Sequence, residues 1–207
     1  MNMTTMMWRA IATGVLLSCT TATLLSSPGQ ARESSGNGQY MAVYFAQNSP
    51  ERMLDILRGD RPELQSSYLA ALTRSVVLGH SGWLRWEAEA QLVYHTGMQN
   101  HWESNAVLVA RQMKFPWDDV LDTRVAVGNG LSWAFEEPPL EPRGDPEDGE
   151  SARLLNYTLV ELEFSPPGDS DWSLFSRLHH RSGVMRTFSD IKGGSNFLGL
   201  GLRFRID

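Results

Sequence analysis

The 207 residues carry 24 acidic and 18 basic side chains, a formal net charge of −6, and are 42% hydrophobic and 20% charged. That length and balance suit a single domain of moderate size. The acidic excess argues against nucleic acid as a partner, and a lone cysteine, Cys19, leaves no intramolecular disulfide.

Met1 to Ala31 reads as a secretory signal peptide. Arg9 supplies the positive start, Ile11 to Leu17 the apolar centre, and Gly29-Gln30-Ala31 a small-residue cleavage site. The apolar run is too short to cross a bilayer as a helix. Leu16-Leu17-Ser18-Cys19 also resembles a bacterial lipoprotein site, so acylation at Cys19 is the competing reading of the leader. Cleavage after Ala31 removes Arg9 and no acid, leaving 32–207 as one domain with a formal net charge of −7 and no cysteine. Such an exported domain must close by packing and hydrogen bonding alone.

After a polar Ser/Gly lead-in, Tyr40 to Gln47 is the first predicted strand, and Pro50 to Arg58 a short helical turn within a loop. Ser66 to Leu78 is the second strand, ended by a glycine turn at Gly79-His80-Ser81-Gly82. The third is the clearest. Leu84, Trp86, Ala88, Ala90, Leu92 and Tyr94 fall on one face, and Arg85, Glu87, Glu89, Gln91 and His95 on the other, with Val93 the apolar exception. Strict alternation of this length is a strand signature. Trp102 to Met113 is a fourth strand, Thr123 to Phe135 a fifth, and Arg153 to Phe164 a sixth. Between the last two lies a Pro-rich loop, Glu136 to Ser151, with seven acids against the single Arg143. Trp172 to Ser182 and Asn196 to Ile206 are the limbs of a terminal hairpin.

Eight strands in succession predict an all-β, eight-stranded antiparallel up-and-down barrel. A soluble barrel buries its apolar faces, whereas an outer-membrane barrel turns them to lipid. With Arg85, Glu87, Glu89, Arg203 and Arg205 inward, the ionic faces pair with one another in a lumen just wide enough for side chains. The apolar strips then meet lipid. Loop lengths favour the second arrangement: three of the four loops opposite the termini are long, the asymmetry of a bacterial barrel. Trp83, Trp102, Phe115, Trp117, Trp133 and Trp172 lie near strand ends, where interfacial aromatic girdles belong. The expected location is the bacterial outer membrane, and such a barrel is compatible with a homodimer.

On this topology His180 and Ser182 lie on the lipid-facing side of the seventh strand, near its outer end. Asn196 begins the matching face of the eighth. A polar pair on a lipid face is costly unless satisfied or used. A hydroxyl, an imidazole and an amide on an apolar face are the elements of a nucleophilic site. His180 would take the Ser182 proton, Asn196 would orient the imidazole, and the strip Leu174, Leu178, Leu198 and Leu200 would hold an acyl chain. Gly183 would leave backbone N–H groups open for an oxyanion.

An eight-stranded barrel whose penultimate strand bears His180-Arg181-Ser182 on its lipid-facing surface resembles the outer-membrane lipid A 3-O-deacylases. The resemblance implies a cofactor-independent hydrolase with a Ser-His-Glu triad, acting on an ester-linked acyl chain of lipid A in lipopolysaccharide. The chain departs from that pattern twice. Gly183-Val184-Met185 follows the serine, where the family has Asn-Ala-Gly, and Ser195-Asn196 stands where the family has its acidic residue. Asp190, in the last loop, is the alternative carboxylate.

Against the serine esterase stands a non-enzymatic small outer-membrane barrel, structural or adhesive, in which His180 and Ser182 anchor the wall among headgroups. His179 faces inward with Arg177 and Arg181 and reads as barrel filling. Arg181, Arg186 and Lys192 are candidate contacts for lipid A phosphates, with ordinary headgroup-level charges as the alternative. His95 and His101 flank a loop that, with the acidic 136–151 loop, would be placed to bind a cation. Their spacing matches no metal signature, so a solvated loop is expected and no metal is assigned.

Overall fold

The computed structural model of the chain describes residues 38–139, 141, 153–183 and 194–207. The expected signal peptide, Cys19, Asp190, Arg186, Lys192 and most of the acidic loop lie outside them.

The chain forms β1 (Gln39–Ser49), β2 (Ser67–Ser81), β3 (Leu84–Gly97), β4 (His101–Gln112), β5 (Asp122–Ala134), β6 (Leu154–Ser165), β7 (Trp172–Ser182) and β8 (Gly194–Arg205). One short helix, α1 (Met53–Arg58), lies between β1 and β2. Every strand pairs antiparallel with its sequence neighbour, and β8 pairs back onto β1, closing the barrel and leaving no free edge. Strands of 11 to 15 residues meet or exceed the roughly 9–11 that a tilted membrane strand needs. The start of β1 and the end of β8 meet one rim of the barrel, the terminal rim. The connections after β1, β3, β5 and β7 meet the opposite, loop rim.

Side-chain direction follows the alternation of the sequence. Leu200 is 64% exposed while Arg203, three residues on, is 2% exposed. The outer wall therefore displays Phe45, Leu72, Leu92, Leu108 and Leu202, and the lumen holds the charges. Five strand glutamates (Glu87, Glu89, Glu103, Glu161, Glu163) and five strand arginines (Arg85, Arg111, Arg177, Arg181, Arg203) are buried there, so their formal charges cancel.

Arg111, near the terminal-rim end of β4, joins the lumenal ion pairs, with its Nε 3.1 Å from Glu87 Oε1 and its Nη1 bonded to both Glu161 and Glu163. Arg177 Nη1 is 2.7 Å from Glu89 Oε1, and Arg203 Nη2 is 2.8 Å from Glu87 Oε2. Toward the loop rim the filling turns aromatic: Tyr44, Phe175, Tyr157 and Phe197 are fully enclosed. Gly201 makes room for them, because a Cβ there would meet the Phe175 ring and stand 2.6 Å from Tyr44 Cβ. His179 is lumenal, as its parity requires. Its Nδ1 is 2.8 Å from the Tyr44 hydroxyl and its Nε2 is 3.1 Å from Glu103 Oε1.

Three sequence readings need correction. The glycine turn after β2 sits later than expected: the strand runs on to Ser81 past an irregularity between Val77 and Gly79, and Gly82-Trp83 makes the turn, with Gly82 at φ 61°. A register shift that leaves Leu78 unpaired lets the chain continue past Gly79, which pairs with Trp86, without leaving the sheet. Arg181 does not reach toward headgroups. Its parity sends it into the lumen, where its Nε is 2.8 Å from Ser132 Oγ and its Nη1 pairs with Glu141. His95 and His101 are not solvated loop residues. They are direct cross-strand partners at the ends of β3 and β4, and both are buried.

Candidate active site on the outer wall

Antiparallel register lays the outer wall out in rows. Val160, Leu178, Leu198 and Gln47 make one row. Thr158, His180, Asn196 and Ser49 make the next toward the loop rim, followed by Asn156, Ser182 and Gly194. The wall thus changes from aliphatic to polar within two residues of strand, about 7 Å.

In the polar row His180 Nδ1 lies 2.7 Å from Asn196 Oδ1. The Asn196 amide is itself held. Its Nδ2 donates to the Glu51 carbonyl at 2.7 Å, and the Asn48 amide donates to the Asn196 backbone carbonyl at 3.1 Å. An amide whose NH2 is already committed presents its oxygen to the imidazole. That oxygen accepts from Nδ1–H and leaves Nε2 as the basic nitrogen, the tautomer a general base requires.

Ser182 shares the wall with His180, one row nearer the loop rim, opposite Asn156 and Gly194, and is half-buried. Among the described residues no hydrogen bond joins Ser182 to His180. The structure therefore brings His180 and Asn196 together and sets Ser182 beside them on the same face. Gly183, expected to keep its backbone open, is buried.

Below the polar row lies a groove of ≈ 1100 Å³ on the outer wall. Leu178, Leu198, Leu200 and Phe45 floor it, and Ile56 and Leu57 of α1 overhang it. The helix is held by its own sequence: Gly59 closes it in the left-handed conformation at φ 91°, its N–H donating to Ile56 O. Leu178 is 4% exposed, while its row neighbours Val160 and Leu198 are half-buried.

No protein-family model matches the chain, and no curated protein matches it. Solved structures do resemble it in shape. The crystal structure of the outer membrane enzyme PagL aligns over 81% of this chain and 99% of its own, at 14% identity and a TM-score of 0.56. Neisserial surface protein A (NspA) aligns over 81% of this chain and 97% of its own, at 10% identity and TM-score 0.47. Ail, the attachment invasion locus protein of Yersinia pestis, aligns over 82% and 99%, at 9% and 0.25. The fold is that of an outer-membrane barrel. At these identities the likeness reaches no further than the fold.

Two parts of the site escape a reading of the sequence. One is a set of outward polar residues beside His180: Asn129 Nδ2 donates to Asn156 Oδ1 at 3.0 Å and to Thr158 Oγ1 at 3.1 Å, and Asn156 Nδ2 donates to the Gly130 carbonyl. Strand parity was signal enough to find them, since each interrupts an apolar strip. The other is the Glu51 carbonyl, a backbone group that no sequence pattern marks.

Proposed function

We propose that the chain resides in a bacterial outer membrane and is a lipid A deacylase-like serine esterase, acting on an ester-linked acyl chain of lipopolysaccharide. The observation that carries the proposal is the His180–Asn196 contact of 2.7 Å on the outer wall, directly above an apolar groove. A soluble esterase has no reason to place its base among residues that face lipid. An enzyme whose substrate is itself a lipid does.

In this scheme the acyl chain lies along Leu178, Leu198 and Leu200 with its ester at the polar row. Ser182 Oγ attacks the carbonyl carbon while His180 Nε2 takes the hydroxyl proton. Asn196 Oδ1, accepting from Nδ1–H, holds the ring as it becomes imidazolium. The tetrahedral intermediate collapses as His180 returns the proton to the leaving alcohol oxygen. Water from the headgroup side, deprotonated by the same nitrogen, then releases the fatty acid from Ser182. No cofactor enters any step. An amide in place of a carboxylate stabilises imidazolium less, so turnover is expected to be slow.

That same substitution favours a second reading, a non-enzymatic outer-membrane barrel in which His180, Asn196 and Ser182 only anchor the wall among headgroups. One experiment separates the two. Lipid A is extracted from cells expressing the chain, Ser182→Ala or His180→Ala, and weighed by mass spectrometry. The esterase predicts loss of one acyl chain with the native protein and intact lipid A with both variants. Intact lipid A in all three cases selects the second reading.

A further inference from the structure

The lumen holds three buried histidines among the described residues, and two have a polar group within 3.1 Å of each ring nitrogen. His95 bonds Gln99 through Nδ1 at 2.8 Å and Glu103 through Nε2 at 2.9 Å. His179 meets Tyr44, Tyr157 and Glu103. His101 is different. It is 3% exposed, and neither ring nitrogen has a hydrogen-bond partner. A buried imidazole with both nitrogens unsatisfied is costly, and such a group calls for an explanation.

The residues around it supply one. His95 and His101 stack with ring centroids 4.3 Å apart, and Glu103 follows two residues later on the same lumenal face. Ligand atoms of His95, His101 and Glu103 all lie within 4.8 Å of one another. We propose that these three residues form a divalent transition-metal site of the zinc type at the loop rim of the lumen, with no part in ester hydrolysis.

Two imidazoles and one carboxylate are a zinc donor set that leaves a fourth position for water. Zinc–nitrogen bonds of about 2.0–2.1 Å require the donors to draw in from their present separation. His101 can turn to do so because no hydrogen bond restrains it. The β3–β4 connection is only Met98 to Asn100, so both histidines ride on one hairpin and keep their spacing. The Gln99 amide nitrogen donates to His95 Nδ1 at 2.8 Å, and a half-turn of that amide places its oxygen on Nδ1–H instead, orienting the ring as an outer-shell partner does and freeing Nε2 to ligate.

Glu103 also meets Asn105 Nδ2 at 2.8 Å and Arg181 Nε at 3.5 Å. The guanidinium opposes a second positive charge beside the carboxylate. Nitrogen donors rather than carboxylates must therefore carry the affinity, which excludes calcium and magnesium, cations that need a shell of oxygens.

The test uses the refolded full-length mature chain in detergent, titrated calorimetrically with zinc chloride and, in parallel, with calcium and magnesium chlorides. The expected result is one zinc per chain, no calcium or magnesium binding, and an affinity at least tenfold lower in His101→Ala. Because His101 makes no hydrogen bond, that variant should fold as the native chain does by far-UV circular dichroism. Cobalt(II) gives a second readout, ligand-field absorption of a four-coordinate site in the native chain and its loss in His101→Ala. No zinc binding, or equal binding by the His101→Ala chain, overturns the proposal.

Discussion

Replacing Arg111 by Leu would expose how much of the barrel's stability depends on a neutral lumen. Arg111 is fully buried and touches three carboxylates, but each keeps another cation: Glu87 has Arg85 Nε at 2.6 Å, Glu161 has Arg177 Nε at 2.7 Å, and Glu163 has Arg124 Nη1 at 3.0 Å. The variant therefore strips no carboxylate bare. It leaves the buried strand charges one negative out of balance, in a space that water does not reach. Removing one partner from a buried ion pair costs about 3–5 kcal/mol. With a urea slope of about 2 kcal/mol/M, a loss of about 4 kcal/mol lowers the unfolding midpoint by about 2 M. The assay is equilibrium urea unfolding of the barrel in lipid vesicles, followed by tryptophan fluorescence. Adding Glu163→Gln to the Arg111→Leu chain restores neutrality and should recover at least half of the loss. If Arg111→Leu unfolds within 1 kcal/mol of the native chain, or if the second substitution makes matters worse, the charge-balance reasoning fails.

Leu200→Arg on the outer wall should cost about 2–4 kcal/mol in vesicles if that position sits near the bilayer midplane, and an unchanged midpoint would mean that the wall does not face lipid. Gly201→Ala should cost about 1–3 kcal/mol, since its methyl group would collide with Phe175 and with the β1 backbone; the same unfolding measurement checks it. Asn196→Ala should lower lipid A deacylation by about 10²–10⁴-fold, the range expected when a general base loses its position. Its barrel should stay intact by heat-modifiable gel migration, and full activity in that chain would remove Asn196 from the mechanism.

Much of the fold was legible because a barrel wall writes its two faces into alternate residues. β3 is the plainest case, with Leu84 to Tyr94 outward and Arg85 to His95 inward, and Val93, the apolar exception, buried among the lumenal aromatics. The inward Arg/Glu set could be read as self-pairing before any partner was known. Individual pairs could not, because Arg111 reaches glutamates on strands some fifty residues away in sequence. His95 and His101 were misjudged for a related reason. They flank a turn, and turns are usually wet, but the strands extend farther than the apolar pattern does and carry both rings inside. The groove was half visible: the leucine strips of β7 and β8 mark its floor, while its overhang depends on where α1 folds back across the wall. The contact between Asn196 and His180 followed from their places opposite one another. The Glu51 carbonyl that fixes the amide did not, since a backbone oxygen has no residue type to betray it.

The esterase reading stands or falls on whether Ser182 is an activated nucleophile. The most direct measurement is intact-mass and peptide mapping of the detergent-solubilised barrel after treatment with a lipid-like fluorophosphonate. The account predicts a single adduct, on Ser182, formed far more slowly in His180→Ala. No adduct, or an equal rate of labelling in that variant, would contradict it.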